Sequence, residues 1–94
     1  MILFHCNKMI ALNRPDIQDL LKQGHYLLLR EKAVLCVTTR ENQLNSPFSQ
    51  QILILQTDAI GLGVDSLIPP QFIQISDDDF VNWVIKADLS VAWC

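Results

Sequence analysis

Two short apolar runs constrain the fold of this chain more than any other feature. Residues 25–30 read His-Tyr-Leu-Leu-Leu-Arg and residues 51–56 read Gln-Ile-Leu-Ile-Leu-Gln, so each run has the length of a strand. Uninterrupted apolar runs are typical of strands in a parallel sheet that is covered on both faces, whereas half-solvated antiparallel strands alternate. We therefore expect both runs to be buried parallel strands, with residues 25–30 at the centre of the sheet.

Three further segments have the composition of strands. They are residues 1–6, residues 72–75 and residues 90–94, and the last of these would end the chain inside the sheet. Together with the two apolar runs they predict a sheet of five strands.

The first helix is predicted at residues 15–23. Pro15 stands at the first helical position, where its missing N–H costs nothing. Ile17, Leu20 and Leu21 fall on one helical face, and Gly24 follows as a C-cap. This pattern is typical of a helix that lies with one side on a sheet.

The segments between the later strands carry weaker patterns. Residues 31–39 mix helix-forming and β-branched side chains, and we interpret them as a short helix. Residues 40–50 are rich in Asn, Ser, Gln and Pro, so we expect them to form the longest loop. Residues 57–63 predict a short helix with a Thr or Asp cap and a glycine stop.

A capping box predicts the start of the last helix. Ser76 and Asp79 have the Ser-x-x-Asp spacing in which the Ser oxygen accepts a hydrogen bond from the third backbone N–H of the helix. The acids at positions 77–79 also suit the positive end of the helix dipole. Four apolar residues are expected to form the buried stripe of this helix: Phe80, Val81, Val84 and Ile85.

The regular alternation of strands and helices defines the expected fold. Apolar strands that alternate with helices indicate a parallel sheet with helices on both faces, joined by right-handed crossovers. We predict one α/β domain over residues 1–94, a three-layer α/β/α architecture of the Rossmann- or flavodoxin-like kind with a five-stranded, mainly parallel sheet. No internal repeat and no second domain is visible in the sequence.

Composition narrows the classes of partner. Hydrophobic residues make up 50% of the 94 residues and charged residues 18%, which is apolar for so small a domain and favours an oligomer. The net charge is −3 and the basic residues are scattered, which disfavours direct binding to nucleic acid. No apolar run approaches the ~20 residues that span a bilayer, and residues 1–6 lack the features of a signal peptide. We expect no membrane association and a cytoplasmic protein.

The cysteines stand at positions 6, 36 and 94. Their odd number and the absence of Cys-x-x-Cys spacing predict neither a disulfide framework nor a zinc site, and this usage fits a reducing compartment. A sulfur-carrying thiol needs exposure and a lowered pKa. We expect Cys36 to be a core residue, Cys6 to be packed at the end of its strand despite the nearby Lys8, and Cys94 to be a tail thiol without a role.

Ligands of open α/β sheets bind beyond the carboxyl ends of the strands. In this chain those positions hold Asn7-Lys8, Glu31-Lys32, Gln56-Thr57-Asp58 and Asp77-Asp78, which form no recognisable catalytic set. The segment Gly61-Leu62-Gly63 lies after a predicted helix and lacks the frame of a phosphate loop, so helix capping explains it.

Histidines and acids also have structural interpretations. His5 and Cys6 are adjacent on a strand and point to opposite faces, so they are not expected to share a metal. His25 is expected to be a surface or hydrogen-bonded histidine, and capping accounts for the acids at 77–79. We therefore assign no catalytic, cofactor-binding or metal-binding residue and expect no cofactor.

Several short motifs, taken in order, resemble one family. Phe4-His5 is followed by Asn7-Lys8, and the leucines at 27–29 precede Glu31. Residues 55–63, Leu-Gln-Thr-Asp-Ala-Ile-Gly-Leu-Gly, are similar to a family pattern in which Arg is usual at Leu62. Two motifs within the last nineteen residues, Asp79-Phe80-Val81 and Ala92-Trp93, complete the set. In these features the chain resembles the TusB/DsrH family, within the DsrE/DsrF/DsrH-like superfamily.

The resemblance implies a subunit of a sulfur-relay complex. TusB-type chains assemble with two homologous subunits, TusC-like and TusD-like, into a cytoplasmic heterohexamer. Sulfur carried by the TusD-like subunit passes to a TusE-like acceptor and finally to the wobble uridine of certain tRNAs, as 5-methylaminomethyl-2-thiouridine. By resemblance the chain would be a non-catalytic accessory subunit, and without its partners it would be able to self-associate.

Two departures from the family's sulfur-carrying members support that assignment. The carrier position of the TusD-like subunit falls close to Leu55, and no cysteine stands within several residues of it. Some DsrH-type members have a cysteine in the first helix, at about Ile17 or Gln18, and this chain has none there. Both departures favour a structural subunit of the tRNA-thiolation type.

Two other hypotheses stay open at this point. The chain could be a DsrH-type persulfide carrier in sulfur oxidation or trafficking that uses Cys6 or Cys94. By fold analogy alone it could also be a small nucleotide-binding or receiver-type module, although it lacks a phosphate loop.

Overall fold

A computed structural model describes residues 1–44 and 47–93 of the chain. The strands are β1 (Ile2–Cys6), β2 (Tyr26–Leu29), β3 (Ile52–Leu55), β4 (Ile73–Ile75) and β5 (Leu89–Ala92). The α-helices are α1 (Pro15–Lys22), α2 (Arg40–Leu44), α3 (Gln56–Gly61) and α4 (Asp77–Lys86). Short 3₁₀ helices cover Glu31–Thr38, Ser49–Gln51 and Asp65–Leu67.

The five strands form one sheet in the order β4-β3-β2-β1-β5, and every neighbouring pair is parallel. The chain steps in one direction from β1 to β4 and then returns across the whole sheet to β5. Right-handed crossovers place the connections of opposite steps on opposite faces. The predicted α/β class and five-stranded parallel sheet are confirmed, with β2 at the centre.

Two core clusters lie on the two faces of the sheet. On one face, Leu27 and Leu29 pack with the buried α1 residues Ile17, Leu20 and Leu21. On the other, Leu28 packs with Leu3 and Leu53, and Phe80 and Trp83 of α4 cover them. Successive strand residues point to opposite faces, so an uninterrupted leucine run supplies both clusters at once.

The first helix begins at Pro15, as predicted, and ends one residue earlier than predicted, at Lys22. Pro15 occupies the start of α1, and Gly24 follows its end with φ +87°, a backbone conformation that side chains rarely adopt. The 3₁₀ helix Glu31–Thr38 confirms a short helix after β2, and it buries Ala33, Val34, Cys36 and Val37.

The prediction of a loop over residues 40–50 was wrong where the chain is described. Arg40–Leu44 is helical, because Thr39 Oγ1 accepts the backbone N–H of Asn42 at 3.4 Å and so caps the first turn. The side chain of Asn42 is buried, and its Oδ1 accepts the N–H of Leu12 at 3.1 Å while its Nδ2 donates to Cys36 O at 2.9 Å. The polar residues of this segment therefore form hydrogen bonds at the start of a helix, where the composition had suggested a loop. Asn45 and Ser46 lie outside the described residues.

Two predictions about helix α3 and strand β5 also need correction. No side chain caps α3, because Thr57 Oγ1 donates to Asp77 Oδ1 at 3.0 Å and Asp58 Oδ2 accepts from the N–H of Glu31 at 2.7 Å. The helix instead begins one residue earlier, at Gln56. Strand β5, at the edge of the sheet beside β1, begins one residue earlier than predicted, at Leu89, and ends at Ala92. Cys94, which was predicted to belong to it, lies outside the described residues.

Helix α4 begins as predicted but turns a different face to the sheet. Ser76 Oγ accepts the N–H of Asp79 at 3.1 Å, which confirms its role as the cap. Phe80 and Trp83 pack on the sheet together with Ala87, at a spacing of three and four residues. The contact between Trp83 of α4 and Tyr26 of β2 favours this orientation of the helix, since their ring centroids are 4.7 Å apart.

The predicted buried stripe of α4 was therefore wrong for three of its four residues. Val81, Val84 and Ile85 are 56%, 38% and 74% exposed, and only Phe80 packs on the core. The sequence of α4 contains two apolar faces. The face with Phe80 and Trp83 packs on the sheet because its aromatic side chains bury more apolar surface than valine and isoleucine do.

None of the helices in residues 1–44 and 47–93 combines the length and the apolar character needed to cross a bilayer.

Leu28→Ala is expected to lower the free energy of unfolding by about 2–5 kcal/mol, because it opens a cavity at a fully buried site in the central strand. Urea unfolding followed by circular dichroism measures the effect. Leu67→Ala is the matched control, since Leu67 is 60% exposed and its loss should change stability by no more than about 0.5 kcal/mol. Equal losses in the two variants would contradict the two-cluster description of the core.

Candidate functional site

The strand order creates one place where a ligand crevice is expected. The chain leaves β1 towards α1 on one face, while β5 is reached from α4 on the opposite face. In open α/β sheets, ligands bind outside the carboxyl ends of the strands at the point where the direction of winding reverses. In this sheet that point lies between β1 and β5.

A cleft of about 280 Å³ lies at this position. It is lined by residues from the carboxyl ends of β1 and β2 and from the neighbouring β5: His5, Cys6, Asn7, Arg30, Ser90 and Ala92. His5 pairs with Ala92 in the β1–β5 register, and Ser90 is two residues before Ala92 and thus on the same face. The sheet register therefore brings together residues that lie 85 positions apart in sequence.

His5 is held between the sheet edge and α4. Its Nε2 atom lies 2.5 Å from Ser90 Oγ, and its ring makes an edge contact with Phe80 at 5.5 Å between centroids. Partial burial, followed by the positive charge of Arg30, lowers the pKa of His5 below its ordinary value of 6.5. The imidazole is therefore neutral at pH 7.

Arg30 is the cation of the cleft. Its backbone N–H donates to Cys6 O at 2.9 Å, which ties the end of β2 to the end of β1. Its guanidinium carbon lies 5.2 Å from the centroid of the Phe80 ring, in a cation–π contact. Its Nε atom is buried and without a hydrogen-bond partner, and among the described residues no carboxylate forms an ion pair with Arg30.

The backbone beside Arg30 is in an unusual conformation. Glu31 has φ 52°, and across residues 1–44 and 47–93 it is the one non-glycine residue with a positive φ. Its N–H donates to Asp58 Oδ2 at 2.7 Å, which offsets the cost of the left-handed conformation. This turn directs the chain into the 3₁₀ helix while Arg30 keeps an extended backbone at the cleft.

The sequence analysis named residues at the carboxyl ends of four strands, and the structure gives different roles to several of them. Asn7 lines the cleft. Thr57, Asp58 and Asp77 instead form structural hydrogen bonds near the starts of α3 and α4. No group of three or more His, Cys, Asp and Glu side chains with metal-binding geometry occurs in the described part of the chain.

The other histidine has a structural role. His25 Nδ1 accepts the backbone N–H of Ile2 at 3.1 Å, and its ring contacts Phe4 edge-on at 5.9 Å. The prediction of a hydrogen-bonded histidine is confirmed.

Neither described cysteine presents an exposed thiol. Cys36 is a buried free thiol whose Sγ accepts the N–H of Ile10 at 3.1 Å, and burial raises its pKa. Cys6 is also fully buried, on the face opposite His5, as the sequence predicted. Cys94 lies outside the described residues.

Cys6 is disulfide-bonded, so the expectation of no disulfide was wrong for this residue. The odd number of cysteines and their spacing carry no information about pairs that a fold brings together. Disulfides are rare in reducing compartments, so this bond removes the support that the cysteines gave to a cytoplasmic location.

Two residues of the cleft were not recognised in the sequence. Arg30 directly follows the buried β2 run, and attention to charged residues at strand ends would have found it. Ser90 has no local signal, because its neighbour His5 is known only once the β1–β5 register is known.

The groups that line the cleft include a histidine–serine pair and several hydrogen-bond donors. His5 and Ser90 resemble a base and a nucleophile, but in the described residues no carboxylate orients the imidazole. A half-buried guanidinium that forms no ion pair with a described carboxylate, a hydroxyl and an amide are groups that can hold an anion.

Neither the protein-family models nor the curated proteins that were compared with the sequence match this chain.

The pKa of His5 is expected to rise in Arg30→Gln, because the variant removes a nearby positive charge while burial still acts on the ring. An NMR titration of the His5 ring protons measures the pKa. Arg40→Gln is the matched control, since Arg40 is exposed on α2 and should leave His5 unchanged.

The same shift predicts a pH dependence of stability. The native state binds a proton at His5 less readily than the unfolded chain, so stability falls as the pH drops below about 6.5, and the fall ends below the native pKa. His5→Gln should remove this part of the pH dependence in urea unfolding. A native pKa of His5 at or above 6.5 would contradict the described burial of the ring.

Proposed function

We propose that this chain is a non-catalytic subunit of a TusBCD-type sulfur-relay complex that supports 2-thiolation of the wobble uridine in tRNA. The proposal rests on the ordered motifs that resemble TusB/DsrH sequences and on one structural observation. That observation is the apolar outer face of α4, formed by Val81, Val84 and Ile85.

The outer face of α4 is suited to a protein partner. Its three residues are spaced three and four apart, so their side chains lie on the same side of the helix. Leu89, which follows the helix on β5, is 54% exposed. Grouped apolar side chains on a surface are typical of protein interaction sites. TusC-like and TusD-like subunits of related fold are the proposed partners, and a second copy of the chain is the proposed occupant when they are absent.

The state of the cysteines supports an accessory role. A persulfide carrier needs an accessible thiolate. The thiol of Cys36 is buried with a raised pKa, and Cys6 is buried and disulfide-bonded. No observation favours the alternative in which Cys6 carries sulfur. The other alternative assigns sulfur transfer to Cys94, a residue outside the described part of the chain. We place sulfur transfer on the TusD-like subunit and the TusE-like acceptor, in the cytoplasm.

Co-expression with candidate TusC-like and TusD-like subunits should give a heterohexamer in native mass spectrometry. Cells that carry the chain with Cys6→Ser, Cys36→Ala and Cys94→Ser should keep their level of tRNA 2-thiouridine, measured by nucleoside mass spectrometry. Loss of thiolation with the complex intact would assign sulfur transfer to a cysteine of this chain. Failure of the unmodified chain to assemble would contradict the proposed family role.

Ile85→Asp is expected to weaken assembly by about tenfold or more, because it places a charge in an apolar contact that must lose its water. Leu67→Asp is the matched control, since Leu67 is similarly exposed but lies in the 3₁₀ helix Asp65–Leu67. Titrated native mass spectrometry compares the two variants. Equal assembly of both variants with the unmodified chain would exclude α4 as the interface.

A further inference from the structure

The cleft between β1 and β5 contains a positive charge for which the described residues provide no carboxylate partner. Arg30 is half-buried, its Nε has no hydrogen-bond partner, and its guanidinium forms no ion pair with any carboxylate of residues 1–44 and 47–93. Withdrawing a cation from water is costly unless an anion or several acceptors replace the water. The Phe80 ring provides part of that compensation through its π face, but it accepts no hydrogen bond in the plane of the guanidinium.

The other groups around Arg30 are neutral and can donate hydrogen bonds. Ser90 contributes a hydroxyl and Asn7 an amide, and both residues line the cleft. Burial and then the charge of Arg30 lower the pKa of His5, so the imidazole adds no full positive charge to the cleft at pH 7. The chain as a whole carries a charge of −3, whereas Arg30 gives the cleft a positive charge.

The size of the cleft limits the ligand. Its volume of about 280 Å³ is just below the ~300–1,000 Å³ range that is usual for small-molecule sites. A guanidinium presents its donors in a planar fork that matches two oxygens of a carboxylate, phosphate or sulfate.

We propose that the cleft lined by His5, Asn7, Arg30 and Ser90 binds a small oxyanion, with Arg30 as the principal ligand. The site lies where the winding of the sheet reverses, which is the general position of ligand sites in open α/β folds. Cys6 lines the cleft, but the proposed ligand groups include no thiol and no residue of the outer face of α4, so the site does not depend on the sulfur-relay proposal.

Backbone contacts hold the site in place before any ligand arrives. Arg30 N–H is bound to Cys6 O, and Trp93 N–H donates to His5 O at 2.8 Å, so the three strands that carry the cleft are fastened together at their carboxyl ends. A preformed site loses less conformational entropy on binding, which favours the capture of a ligand that offers few contacts.

The test titrates the ¹⁵N-labelled full chain with sodium phosphate, sodium sulfate and sodium acetate, each against sodium chloride at matched ionic strength. Saturable shifts of the Asn7, Glu31 and Ser90 amides are expected, with a dissociation constant on the order of millimolar. Phosphate or sulfate binding would assign a tetrahedral anion, and acetate binding a carboxylate. Shifts that do not saturate, or that chloride reproduces, would overturn the proposal.

Two variants decide whether the cleft is the site. Arg30→Gln should weaken binding by about tenfold or more, whereas Arg40→Gln, the same change at an exposed arginine, should leave it unaltered. Unchanged affinity in Arg30→Gln, or an equal loss in both variants, would overturn the proposal. If Arg30→Gln does not fold, Ser90→Ala decides, because Ser90 is exposed on the edge strand; it should weaken binding by roughly twofold to fivefold, and no loss would overturn the proposal.

Discussion

The burial of β2 on both faces is the constraint on which the rest of the structure depends. Its leucines point alternately to the two clusters, so each face needs its own cover. Helix α1 and the 3₁₀ helix Glu31–Thr38 cover one face, while α4 covers the other with two aromatic side chains. A strand of this kind is stable only as the middle layer of three, and a parallel sheet with crossovers on both sides meets that requirement.

Covering the second face forces the chain to return across the sheet, and the return creates the cleft. Helix α4 crosses beneath β3, β2 and β1 before the chain pairs again as β5 beside β1. Phe80 lies at the start of this helix, where it packs on the core and also contacts both His5 and Arg30. One aromatic side chain thus serves the packing of the fold and the arrangement of the polar site, while Val81 and Ile85 on the same helix stay exposed.

The sequence predicted the elements well where local patterns decide them, and less well where two local patterns compete. The leucine run of β2, Pro15 and the cap at Ser76 each have one structural solution. Helix α4 has two apolar faces, and only the structure shows that the partly buried Phe80 and Trp83 are the pair that packs on the sheet. The sequence pointed to the carboxyl ends of the strands in general but identified neither the place between β1 and β5 nor its residues, because Ser90 meets His5 through the pairing of the first and last strands. Asn42 was misjudged as a loop residue because its hydrogen-bond partners, Leu12 and Cys36, are distant in sequence.

The buried side chain of Asn42 has a consequence for how the molecule moves. It bonds the irregular segment between β1 and α1, at Leu12, to the end of the 3₁₀ helix, at Cys36, and the N–H of Ile10 adds a second link to the Cys36 sulfur. A segment without regular structure normally exchanges its amide hydrogens through small local openings. In this chain the N–H of Leu12 is held by Asn42 of α2, so we expect it to exchange only when α2 also separates from this segment. We therefore expect the segment around Ile10 and Leu12 to open together with α2 and the end of the 3₁₀ helix, as one cooperative unit.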